Sequence, residues 1–134
     1  MLLNLSNHPS AQWAEGQKKT ALDLFGRVAD IPFPAIDPDA DDDVIKNLAM
    51  EYASLCLKTL AEQKQEDETD AIHIMGELTF CFALVSLLQK GGITCIASTT
   101  RRIAQENKKG KKVSVFNFVK FRPYPNLCNA QPQP

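Results

Sequence analysis

Ser6, Asn7 and His8 stand in a row before Pro9, at the end of the apolar opening MLLNL. A hydroxyl, an amide and an imidazole there can position a polar ligand. An imidazole can also move a proton near neutral pH. A turn that merely stops a strand accounts for the same residues. A second group is Gly76-Glu77-Leu78-Thr79. Glycine allows close backbone approach, and the N–H groups of a helix start suit an anion. Glu77 would repel a phosphate. It fits better as an acceptor for a ribose hydroxyl or a base amino group, or as a partner for the helix terminus. A third group is Ser98-Thr99-Thr100-Arg101-Arg102, whose hydroxyls can donate to phosphate oxygens and whose guanidinium groups can grip them bidentately. Alternating arginines also protect an exposed sheet edge. His73, inside the apolar run DAIHIM, reads as a packed or edge histidine.

Other chemistry finds little support. The chain has no GxGxxG, Walker loop, GxSxG or paired CxxC. Ser6, His8 and Glu77 are not ordered as nucleophile, base and orienter, and the serine is not on a glycine elbow. Of the four cysteines, Cys56 and Cys81 fall in apolar helical patterns, Cys95 in an apolar strand run and Cys128 in the tail. They read as free thiols, and no metal site is expected. The run Asp39, Asp41, Asp42, Asp43 opens a helix, where negative charge complements the dipole.

The elements that must position these groups follow from periodicity. Leu2–Leu5 is a short buried strand; a helix starting between Ser10 and Ala14 runs to Phe25 and stops at Gly26. Arg27–Pro32 is a second strand. Pro32, Pro34 and Pro38 enforce an extended link before a long helix from about Asp39 to about Lys64. Gln63–Thr69 is a solvated linker. Asp70–Met75 is a third strand, a strongly apolar helix covers about Leu78–Gln89, and Ile93–Ala97 is a fourth strand. Such alternation predicts an α/β, Rossmann-like three-layer sandwich with a mostly parallel central sheet. Arg101–Glu106 and Lys112–Phe121, joined through Asn107–Gly110, predict a C-terminal antiparallel hairpin; a helix over Thr99–Asn107 is the competing reading. One domain over residues 1–124 and a loose tail over 125–134 complete the expectation.

At 134 residues, with 44% hydrophobic and 23% charged, the chain suits one soluble domain. It lacks a membrane-length apolar run and a signal-peptide pattern, so the expected location is cytoplasmic. A formal net charge of -1 argues against coating a large nucleic acid, although Glu62–Asp70 is acidic and Arg101–Lys112 basic. In an open α/β sheet, ligands bind beyond the carboxyl ends of the strands. The loops after the four parallel strands, with Phe33-Pro34 as the second, are therefore expected on one rim.

The strand-one loop NLSNHP, the unit HIMGELTF and the strand-four exit ASTTRR resemble small Rossmann-like proteins linked to CRISPR systems. That group holds the CARF-type sensor domains and the stand-alone ring nucleases, and the resemblance extends to about Tyr124. It implies binding and cleavage of a cyclic oligoadenylate, such as cyclic tetra-adenylate, by a homodimer without cofactor or metal. In such enzymes a ribose 2′-hydroxyl attacks the neighbouring phosphate. Carried onto this chain, Ser6, Asn7 and Thr79 would position phosphate or ribose, Glu77 would hold a ribose or adenine edge, and Arg101 or Arg102 would offset charge. His8 would assist proton transfer. A binding module without turnover, or a scaffold with structural loops, are the alternatives.

Overall fold

The computed structural model describes residues 1–134. Five strands and three α-helices alternate as β1 (Leu2–Ser6), α1 (Glu15–Phe25), β2 (Val28–Asp30), α2 (Asp42–Glu62), β3 (Ala71–Met75), α3 (Leu78–Lys90), β4 (Cys95–Glu106) and β5 (Lys112–Pro123). The sheet order is β2-β1-β3-β4-β5. The first four strands are parallel and β5 is antiparallel to β4. The expected α/β sandwich, with its mostly parallel sheet and terminal hairpin, is therefore present.

The layers follow from side-chain alternation along the strands. Leu3, Leu5, Ile72, Ile74 and Cys95 pack with α2 and α3 in a core of 16 buried residues. On the other face Leu2, Ala71 and Ile96 meet Trp13 and Ala21 in a cluster of only 5. Burying each large aliphatic or aromatic side chain contributes roughly 1.5–3 kcal/mol, so the α2/α3 side supplies most of the stability. Gly26 ends α1 at a positive φ of 77°, which glycine adopts without steric cost. Asp41 precedes α2 in extended backbone, and Asp42 and Asp43 occupy its first turn, where they complement the dipole.

Two of the boundaries that differ from the sequence reading bear on the site. A single 3-10 turn at Ser10–Gln12 precedes α1, which starts later than expected. The fourth strand does not stop at Ala97. It continues as one ladder through Ser98–Arg102 to Glu106, so those residues are not a loop, and the helix alternative over Thr99–Asn107 is excluded. Pairing with β5 satisfies the backbone, which lets the strand run on after its apolar pattern has ended. No helix of the structure is long and apolar enough to cross a membrane.

Candidate functional site

The order β2-β1-β3 makes the β1/β3 boundary the switch point, where the chain leaves β1 for α1 and β3 for α3 on opposite faces. Register decides which side chains meet there. Asn4 lies beside His73 and Ser6 beside Met75, while His73 lies beside Ile96. Farther along, Ser98 opposes Phe121, Thr100 opposes Phe118 and Arg102 opposes Phe116. All of these share the α1 face. A bulge makes this possible: the register passes from Thr99↔Lys120 to Thr100↔Phe118, leaving Val119 without a partner. Phe118 and Phe121, an odd spacing apart, thus face the same way.

Helix α1 covers only part of this face. Beside it lies a cleft of about 510 Å³ lined by Ser6, His8, Trp13, His73, Ser98, Thr100, Phe118 and their neighbours. Its lining contains no carboxylate. Trp13 stands edge-on to His73 at 5.2 Å between ring centroids, and Phe121 does the same at 5.7 Å. Phe118 lies against Phe121 at 5.0 Å.

A polar network crosses the floor. Asn4 Nδ2 donates to Asp30 Oδ1 at 2.6 Å and to the His8 carbonyl at 3.0 Å. Asn4 Oδ1 lies 2.8 Å from Ser6 Oγ and 2.8 Å from His73 Nδ1. The His8 carbonyl also receives Trp13 Nε1 at 3.1 Å and Ser6 Oγ at 3.0 Å. Asp30 accepts from the Ser10 amide and hydroxyl. His73 is 1% exposed, and its Nε2 has no hydrogen-bond partner. Burial pushes its pKa down to about 4, with a smaller push from His8, so the ring is neutral at pH 7.

The structure brings together four of the residues picked out in the sequence: Ser6, His8, Ser98 and Thr100. The His8 ring is exposed at the rim, and the Ser98 hydroxyl rests on the Met75 sulfur at 3.0 Å. Arg102 shares their face farther out and donates to Ser114 Oγ at 2.9 Å. Thr99 and Arg101 alternate onto the other face, where Thr99 Oγ1 donates to the Lys120 carbonyl. Asn7 borders a separate hollow with Pro9, Asp30 and Phe33. Thr79 lines a larger, about 640 Å³ hollow on the α2/α3 side, beside Asp42, Asp43 and exposed Leu78 and Phe82. That hollow holds no imidazole.

Gly76 and Glu77 take the structural alternative. A Cβ at Gly76 would lie 2.2 Å from Phe33 Cζ, so glycine makes room for that ring rather than for an anion. Glu77 folds back on α3 and accepts from the Phe80 and Thr79 amides at 2.8 and 3.1 Å. The Phe80 N–H, followed by the Thr79 hydroxyl and amide, holds the carboxyl below its usual range. The leading N–H groups of α3 are thereby occupied by the protein's own carboxylate.

The residues the sequence reading passed over are Asn4, Trp13, Asp30 and, as a cleft residue, His73. One signal was available: Asn4 and Ser6 interrupt an otherwise apolar strand with the same two-residue period, which marks one polar stripe on a buried element.

Fold and cleft together define a parallel α/β domain with a polar, aromatic-walled site beside its switch point. Residues 1–122 match the Uncharacterized protein MJ1673 family, and the chain belongs to that family. No curated protein and no solved structure matches it.

Proposed function

We propose that the protein binds a cyclic oligoadenylate in the α1-side cleft and opens it by attack of a ribose 2′-hydroxyl on the adjacent phosphate. The observation that carries this reading is the lining itself. Hydroxyls, two imidazoles and aromatic rings face one cleft without a carboxylate, a composition that suits stacked bases and phosphates. Trp13, Phe116 and Phe118 offer rings to a base. Ser98 and Thr100 offer hydroxyl donors, and Arg102 on the same strand face offsets charge on the phosphate. His8 carries the only exposed imidazole and takes the 2′-hydroxyl proton or returns one to the leaving 5′-oxygen. The bond that forms is 2′-oxygen to phosphorus, and the one that breaks is phosphorus to 5′-oxygen. The product is linear and ends in a 2′,3′-cyclic phosphate.

A symmetric ring spans two equivalent sites, so the reading includes a twofold homodimer presenting two clefts. Its links to CRISPR defence and to the ring-nuclease group rest on the sequence resemblance and belong to the same proposal. The test is incubation of the purified protein with cyclic tetra-adenylate. Linear fragments with 2′,3′-cyclic phosphate ends support the enzyme. Binding without turnover restricts the protein to sequestering the ring, and absence of binding rejects the proposal.

A further inference from the structure

The floor of the cleft poses a hydrogen-bond problem with one solution. Asn4 Nδ2 faces the Asp30 carboxylate at 2.6 Å and the His8 carbonyl at 3.0 Å, and both of these only accept. The amide orientation is therefore fixed, and Asn4 Oδ1 is the atom 2.8 Å from His73 Nδ1. An amide oxygen cannot donate, so the hydrogen in that bond belongs to Nδ1. A neutral imidazole carries one N–H. Nε2 is then a bare lone pair, buried and without a partner.

We infer that Asp30, acting through Asn4, locks His73 in its Nδ1–H tautomer, so that Nε2 accepts a hydrogen bond from an amino group on the bound base. Asp30 and Asn4 are positioning residues; His73 is the group that meets the ligand. Trp13 and Phe121 lie roughly perpendicular to the ring, and His73 lines the cleft that a base would enter. A buried acceptor left unpaired is costly, and a donor that satisfies it gains the full difference. Adenine presents such a donor at C6; hypoxanthine presents a carbonyl, which sets two acceptors against each other. The ligand half of this inference rests on the oligoadenylate reading, whereas the tautomer half does not.

Two measurements separate these halves. Nitrogen NMR of histidine-labelled protein at pH 7 is expected to show His73 protonated at Nδ1 and bare at Nε2. Asp30→Ala should add a population with the proton on Nε2. An Nε2–H ring in the unmodified protein overturns the lock, whatever the variant's folding. Cyclic tetra-adenylate and cyclic tetra-inosylate are then titrated in parallel, with at least about tenfold weaker binding expected for the inosine ring. The His73 Nε2 resonance should move only with the adenine ring. Equal affinities overturn the selection by His73. Failure of both rings to bind overturns the ligand reading, and the tautomer result still decides the lock.

Discussion

On the α2/α3 face of the sheet, Leu3, Leu5, Ile72 and Ile74 are fully buried beneath two helices. On the α1 face, one 11-residue helix leaves Asn4, Ser6 and His73 buried among few apolar neighbours, and a cleft remains beside it. The same strands build both surfaces by alternation. Stability is thus concentrated on one side, which leaves the other able to carry polar groups at some cost in stability. This division of labour is open to direct attack.

The largest effect is expected from Phe80→Ala. Phe80 is wholly buried against Phe33 and Tyr52, and truncation should cost about 3–5 kcal/mol by denaturant unfolding. A loss below about 1 kcal/mol would show that the α2/α3 side does not dominate.

Next come the paired arginines. Arg102→Ala, on the cleft face, should slow cleavage of cyclic tetra-adenylate by about 100-fold with stability unchanged. Arg101→Ala, one position away on the opposite face, should cost far less. Equal losses would contradict the assignment of the chemistry to one face.

His73 links the cleft to acid stability. Its folded pKa of about 4 lies below the ordinary 6.5, so the unfolded chain takes up the proton first as pH falls. The folded state is penalised below about pH 6.5 and increasingly so down to about 4, by on the order of 3 kcal/mol in total. His73→Gln should remove that part of the acid loss, read from urea midpoints at pH 7 and 4.5. An identical loss in the variant counts against a neutral buried ring.

Gly76→Ala should cost about 1–3 kcal/mol, because the new methyl must displace the Phe33 ring. The smallest effect is expected from Glu77→Ala. Removing the cap of α3 should lower the urea midpoint slightly, with ring binding unchanged. Lost binding instead would return Glu77 to the ligand site.

Much of this fold is legible in local pattern. The strands AIHIM and LLNLS, the helix stop at Gly26 and the strand–helix alternation follow from short-range spacing. What escapes is pairing. Ser98–Arg102 read as a loop because polar residues follow an apolar run, yet β5 supplies the hydrogen bonds that keep it a strand. His73 read as packing because its neighbours are isoleucines. Only the register beside Asn4 reveals the polar partner, and register depends on contacts 69 residues apart. The Gly76-Glu77 pair misled differently: its residue types suit a phosphate loop and a self-capped helix equally, and the Phe33 ring decides between them.

The loop that carries His8 is anchored at a main-chain atom. Asn4, Ser6 and Trp13 all reach the oxygen of residue 8, and none needs its imidazole. Any amino acid placed there brings that oxygen with it. Alanine scanning would therefore report position 8 as structurally silent although the loop hangs on it. The ring is correspondingly free to be exchanged, so replacing His8 tests its proposed proton transfer without disturbing the architecture around it.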